Sequence, residues 1–191
     1  MSASTHESEA IEPAWVGDVL RFWFEELSHA DWFKKNDALD ARIRDHFFDL
    51  HAHLLAEEER GLAAPRTMLA AVIVLDQFSR NIFRDDARAY AADPLARRIA
   101  RSAIDQGYDA TMAVQEKRFL YLPFEHSEDV HDQQLSVNLT EPLGDPEMTE
   151  YAIAHQVIID RFGRFPHRNA TLGRRSTPEE IAFLKSPMSS F

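Results

Sequence analysis

The sequence predicts an all-α fold, and three features of it do so. Apolar residues recur at three- and four-residue spacing along most of the 191 residues, the periodicity of helices with one buried face. Gly (6) and Pro (9) are too few for the tight turns of an all-β domain. Four helix starts carry an acid or hydroxyl residue directly before Pro, which at the first helical position gives up only an N–H that would lack a partner anyway. About eight helices are expected, paired antiparallel through short loops, as a bundle or a stacked α-solenoid.

Glu12-Pro13 opens the first helix, with Val16, Val19, Leu20, Trp23, Phe24 and Leu27 at helical spacing. Asp37 is placed to cap a long second helix whose stripe runs Leu39, Ile43, Phe47, Leu50, Leu54, ending at Gly61. A third starts near Pro65 and runs to about Arg80. Its centre, Met68 to Leu75, is apolar all round, so it packs on most sides. Val72-Ile73-Val74 would also suit a buried strand, but Leu75, Phe78 and Ile82 continue the helical spacing. Asp93-Pro94 opens a fourth, closed by Gly107; Thr111 to about Leu122 reads as a fifth, stopped by Pro123. Ser127 is the cap expected for a sixth carrying Val130, Leu135 and Leu139. Asp145-Pro146 opens a seventh ending at Phe162-Gly163, and Thr177-Pro178-Glu179-Glu180 is a capping box for a short eighth. A fixed repeat near ~34 residues is not discernible. Residues 1–11 read as a flexible tail and 12–191 as a single helical domain.

Composition narrows the function. A net charge of −11 disfavours general nucleic-acid binding. The chain has no Cys, which removes disulfides, thiolate metal sites and cysteine nucleophiles and is compatible with a reducing compartment. The first ten residues lack the basic and apolar regions of a signal peptide, and the Met68–Leu75 run is far short of the roughly 20 residues of a membrane span. A cytoplasmic protein with no membrane partner is expected. Neither G-x-G-x-x-G, a phosphate-cradling Gly-rich loop, G-x-S-x-G nor H-E-x-x-H occurs.

Three segments concentrate polar chemistry. Leu122 to Gln134 gathers Glu125, His126, Glu128, Asp129, His131 and Asp132 at a helix start. Glu125 and His126 would suit a hard metal or proton transfer, whereas the plain alternative is a capped, solvated helix start. From Arg161 through Thr177 there are five Arg and no acid. Those guanidinium forks, with His167, suit a carboxylate or phosphate; equally, they could satisfy helix C-terminal carbonyls and pair with the acidic segment. Asp76-Gln77-Phe78-Ser79-Arg80-Asn81 closes the apolar helix, where polar groups need partners, and Trp23 nearby is a ring wall or core. His155 shares an apolar stripe with Met148, Tyr151, Ala152, Ile159 and Phe162, so it points inward, as a hydrogen-bonded core residue or as a pocket wall.

The stretches Leu20-Arg21-Phe22-Trp23-Phe24, Leu75 to Asn81, Leu122 to Glu128 and Arg161 to Asn169 together resemble the bacterial family catalogued as domain of unknown function 924, from about Val19 to Leu184. That resemblance implies a tetratricopeptide-like helical fold, with paired helices curved around a groove, and no transferable activity. Its signature stretches fall on the polar segments, which favours a site. The leading expectation is a pocket for a small anionic ligand, with enzymatic activity open. Arg80, Gln77, Asn81, Arg164, His167, Arg168 and Asn169 would bind the ligand, while His126, His155 and Glu125, with His167, would handle protons or a divalent metal. No spacing assigns a metal or a cofactor. The rivals are a peptide-binding scaffold without activity and an internal ion-pair network with no space in it. Oligomeric state is not legible.

Overall fold

A computed structural model describes residues 12–187 and 189; the expected tail 1–11 lies outside them. It is all-α, with no strand among the described residues. The helices are α1 (Ala14–Arg21), α2 (His29–Phe33), α3 (Asp37–Glu57), α4 (Pro65–Val72), α5 (Ser79–Ile82), α6 (Asp93–Asp105), α7 (Val114–Glu125), α8 (Val130–Thr140), α9 (Pro146–Phe162) and α10 (Pro178–Phe183). Two wider π-helical turns, Phe22–Glu26 and Ile73–Phe78, prolong α1 and join α4 to α5. Short 3-10 turns at Ala87–Tyr90 and Pro166–Arg168 carry residues of the site. No helix among the described residues is long and apolar enough to cross a membrane.

The apolar run behaves as its pattern demands. Every residue from Thr67 to Ser79 is buried, with Ala70 through Asp76 at 0% exposure, because this segment is enclosed by α1, α3, α6 and α7. Around it stand Phe22, Trp23, Phe47, Phe78 and Phe119. Trp23 meets Phe119 and Phe78 edge-on at 5.2 and 5.4 Å, and Phe47 lies 4.7 Å from Phe78. Such offset and edge-on pairs add about 0.5–1.5 kcal/mol each beyond the area they bury. Trp23 is thus core. A smaller cluster of Ile158, Ile159 and Phe165, joined by Phe162 and Phe183, ties α9 to α10.

Several boundaries differ from expectation. Asn36, not Asp37, caps α3, its side chain accepting from the amides of Ala38 and Leu39. That helix stops at Glu57, and Gly61 serves a later turn. Asp129, not Ser127, caps α8, while the Ser127 hydroxyl donates to Asp132 at 2.9 Å. Pro123 lies inside α7, which starts at Val114 rather than Thr111 and continues to Glu125. Proline costs a helix one hydrogen bond, but here it falls in the last turn, between Phe119 and Phe124 at 0% exposure, and that burial prevails. Gly163 ends α9 as expected: at φ +68° its amide donates to the Ile159 carbonyl, a left-handed position where a side chain is strained. Thr177 and Glu180 form the reciprocal cap of α10.

Candidate functional site

The π-turn and the short helix after it supply the floor of the site. Widening the turn at Ile73–Phe78 puts Asp76 inward, where it is fully buried. A buried carboxylate needs partners, and Asp76 has three. Gln77 Nε2 donates to Oδ2 at 2.5 Å, Arg80 Nη2 reaches Oδ1 at 3.5 Å, and His126 Nδ1 lies 2.8 and 3.0 Å from the two oxygens. Burial pushes this carboxyl upward, but the charges of His126 and Arg80 and these bonds win and hold it below the usual carboxylate range. An ionised Asp76 only accepts, so the proton of His126 stands on Nδ1 and Nε2 carries the lone pair while the ring is neutral. Among the described residues nothing bonds to that Nε2.

Arg80 is held at both ends of its fork. Nη1 and Nη2 donate to the two oxygens of Asp93, at the start of α6, at 2.7 and 3.0 Å; Nη1 also reaches the Ala89 carbonyl. Its guanidinium lies over the Tyr90 ring at 4.9 Å. Asp76 and Asp93 outweigh its burial, so it stays fully charged.

Arg168 sits on the Pro166–Arg168 turn and is 7% exposed. Its guanidinium lies between two rings, 4.4 Å from Phe165 and 4.8 Å from Tyr90. Nη1 donates to the His126 carbonyl at 2.9 Å, while Nε is buried with no partner. The nearest carboxylate, Asp93, is 3.9 Å away. Burial, and next the charge of Arg80, push it down to about 10, still charged at neutral pH. His167 beside it has a buried Nδ1 with no partner and is pushed down to about 4, by burial and then by Arg168.

Glu125 and His155 face each other in the interior, with His155 Nδ1 3.2 Å from Oε1 and 2.8 Å from the Tyr151 carbonyl. The carbonyl only accepts, so Nδ1 carries the proton. Burial pushes Glu125 up to about 8 and His155 down to about 3. Desolvation therefore exceeds their mutual attraction, which favours the neutral form of both groups over an ion pair.

Arg80, Tyr90, His126, His155, His167 and Arg168 enclose a cavity of about 60 Å³. A larger open hollow of about 620 Å³ beside Arg175 and Ile181 gathers no comparable cluster of titratable groups, so the smaller cavity is the candidate site. Five separate stretches of chain thus meet at one space.

Of the residues expected there, Gln77 reaches the cavity only through Asp76. Asn81 turns the other way and donates to Asp40 on α3 at 2.8 Å. Arg164 forks onto Glu180 at 2.7 and 2.9 Å and does not line the cavity. Asn169, at 0% exposure, closes its own loop by bonding Ser176 and Arg174. The expected pairing of basic and acidic segments exists as Arg174 on Glu128, at 2.6 and 2.8 Å; Glu128 also accepts from the Phe165 amide at 2.8 Å. Tyr151 is 42% exposed, half out of the stripe that carries His155. Glu125 and His126 turn to different partners, and among the described residues no three His, Asp or Glu converge to hold a metal ion. Tyr90 and Asp93 were missed as site residues, since an aromatic in a linker and an acid at a helix start look ordinary in sequence.

The fold and this convergence define a class: an all-α protein with a buried Arg/His cluster around a small cavity. The chain belongs to the family described as bacterial protein of unknown function DUF924, whose model matches residues 19–188. It is similar to the solved structure of a protein of unknown function, ATU0120, from Agrobacterium tumefaciens. The two share 42% identity and a TM-score of 0.86, over 90% of this chain and 97% of that one. No curated protein matches the chain.

Proposed function

We propose that the cavity binds a small anionic group, a carboxylate or a phosphate, and that His126 exchanges a proton with it. The observation that carries this reading is the state of Arg168: buried, stacked between Tyr90 and Phe165, and bonded through Nη1 alone. A buried donor without an acceptor costs roughly 1–3 kcal/mol, a cost that an anion on the Nε and Nη2 edge would remove. Tyr90 and Phe165 fix the plane of the fork, so two parallel bonds form with little loss of freedom. Arg80 adds positive charge but has its own donors spent on Asp93 and Ala89. The neutral Glu125–His155 pair leaves that side of the cavity without negative charge. His126, oriented by Asp76, would present Nε2 to the ligand as a proton acceptor. The peptide-scaffold reading draws on no comparable observation.

Isothermal titration of the protein with phosphate and with small carboxylates tests this reading. We expect saturable binding that Arg168→Lys weakens about tenfold or more, because an ammonium cannot reproduce a stacked bidentate fork. Absence of saturable binding by any such anion would remove the reading.

A further inference from the structure

We infer that the group this cavity takes is a phosphoryl group rather than a carboxylate. The inference rests on the anion-binding reading above and concerns which anion. Three residues lining the cavity each carry a nitrogen with no protein partner: Arg168 Nε, His167 Nδ1 and His126 Nε2. Arg168 Nη2 likewise bonds nothing among the described residues. The Nε–Nη2 edge alone saturates a carboxylate, whose two oxygens lie in one plane with the fork. Both imidazole nitrogens would then remain unmet, one of them buried. A tetrahedral phosphoryl group has three terminal oxygens. Two can lie on the Arg168 edge while a third stands out of that plane toward the imidazoles.

Size agrees. The cavity is small, about 60 Å³, which favours a compact head group over a large ligand. Any larger substituent of a phosphomonoester would extend out of the cavity. Charge agrees as well. Arg80 is neutralised by Asp76 and Asp93, and Arg168 has only Asp93, 3.9 Å off. A dianion therefore leaves one charge for donors beyond the Arg168 edge, which the unpartnered Nδ1 of His167 is placed to meet as an N–H donor. A carboxylate, with one charge, leaves none.

The test is competitive titration at fixed ionic strength with inorganic phosphate, glycerol phosphate, acetate and malonate, on wild type first so that no variant need fold. Phosphate or glycerol phosphate should bind at least about tenfold more tightly than either carboxylate, whose contacts stop at one Arg edge. Binding of the free ion alone identifies free phosphate as the source, and binding of the ester identifies a monoester head group; both uphold the assignment. His167→Ala should lower phosphate affinity about tenfold and carboxylate affinity less than about twofold. Carboxylates that bind as tightly as phosphate, or a His167→Ala loss equal for both, overturn the phosphoryl assignment and leave the anion pocket standing. Binding of neither class overturns both.

Discussion

Asp76, on the π-turn, holds the Nδ1 of His126, fifty residues further along the chain, at 2.8 Å without any exposure of its own to solvent. The contact couples the most buried segment of the core to the wall of the cavity. It fixes the tautomer of His126 and neutralises part of the charge of Arg80.

Asp76→Asn keeps the shape of the side chain but leaves Arg80 and His126 without their buried counter-charge. We expect a loss of about 2–4 kcal/mol in urea unfolding at neutral pH. Because the folded-state pKa of Asp76 lies below the ordinary value, its contribution is present above the carboxylate range and lost as pH falls beneath it. The difference between wild type and variant should therefore shrink in acid; a difference constant down to the lowest accessible pH contradicts this account.

Glu125, His155 and His167 set the stability profile near neutrality. The two histidines are pushed down to about 3 and 4, so the unfolded chain binds more protons and stability rises with pH until about 6.5, the ordinary histidine value. Glu125 is pushed up to about 8 from 4.5, so here the folded state binds more protons and stability falls with pH between those values. Summed over these three groups, the maximum lies near pH 6.5, with a decline toward 8. Glu125→Gln removes the ionisation, and its melting temperature should stay level across that upper range while that of wild type drops.

Arg168→Ala should cost roughly 1–3 kcal/mol, because it removes the stack between Tyr90 and Phe165 and leaves the His126 carbonyl without its donor. Arg168→Lys should recover part of that stability without recovering anion affinity. Thermal melts and titration on the same samples separate the two effects, and parallel recovery of both would count against a bidentate role.

Ser79 Oγ donates to the Leu75 carbonyl at 2.6 Å, so it accepts from His51 Nε2 at 2.8 Å in a buried pair directed at α3. Ser79→Ala strands that N–H at a cost of roughly 1–3 kcal/mol. Anion affinity should change by less than about twofold. A larger change would mean that the core packing around Ser79 reaches the cavity.

Gly163→Ala places a side chain at φ +68° with open space around it, so the penalty is one of backbone alone, about 1 kcal/mol. Chemical denaturation measures it directly; a neutral substitution would show that α9 can end in another conformation.

Local sequence was sufficient wherever local physics decides. The all-round apolar run from Met68 to Leu75 read as a helix enclosed on most sides once Leu75, Phe78 and Ile82 continued its spacing, and the Asp-Pro and Thr-Pro starts and Gly163 marked ends because caps and left-handed turns depend on a few adjacent residues. Pro123 defeated the same logic. Its cost is local, but the burial of Phe119 and Phe124 that outweighs it comes from other helices. The site repeats this pattern. Glu125, His126, His155, His167 and Arg168 were visible as unusual polar residues, yet nothing in their spacing said which would be spent on structure.

By itself, then, the sequence determined the helices, the segment that forms the centre of the core, and the residue types at its polar ends. The tertiary structure alone decided which Arg of the acid-free run is buried without a close carboxylate. Arg161, Arg164 and Arg174 meet Glu179, Glu180 and Glu128, while Arg168 is carried to a place where aromatic rings, rather than a carboxylate, surround it. The reason is range. Capping and periodicity act over one or two turns, whereas charge pairing acts through space between residues that the chain brings together only when its helices pack.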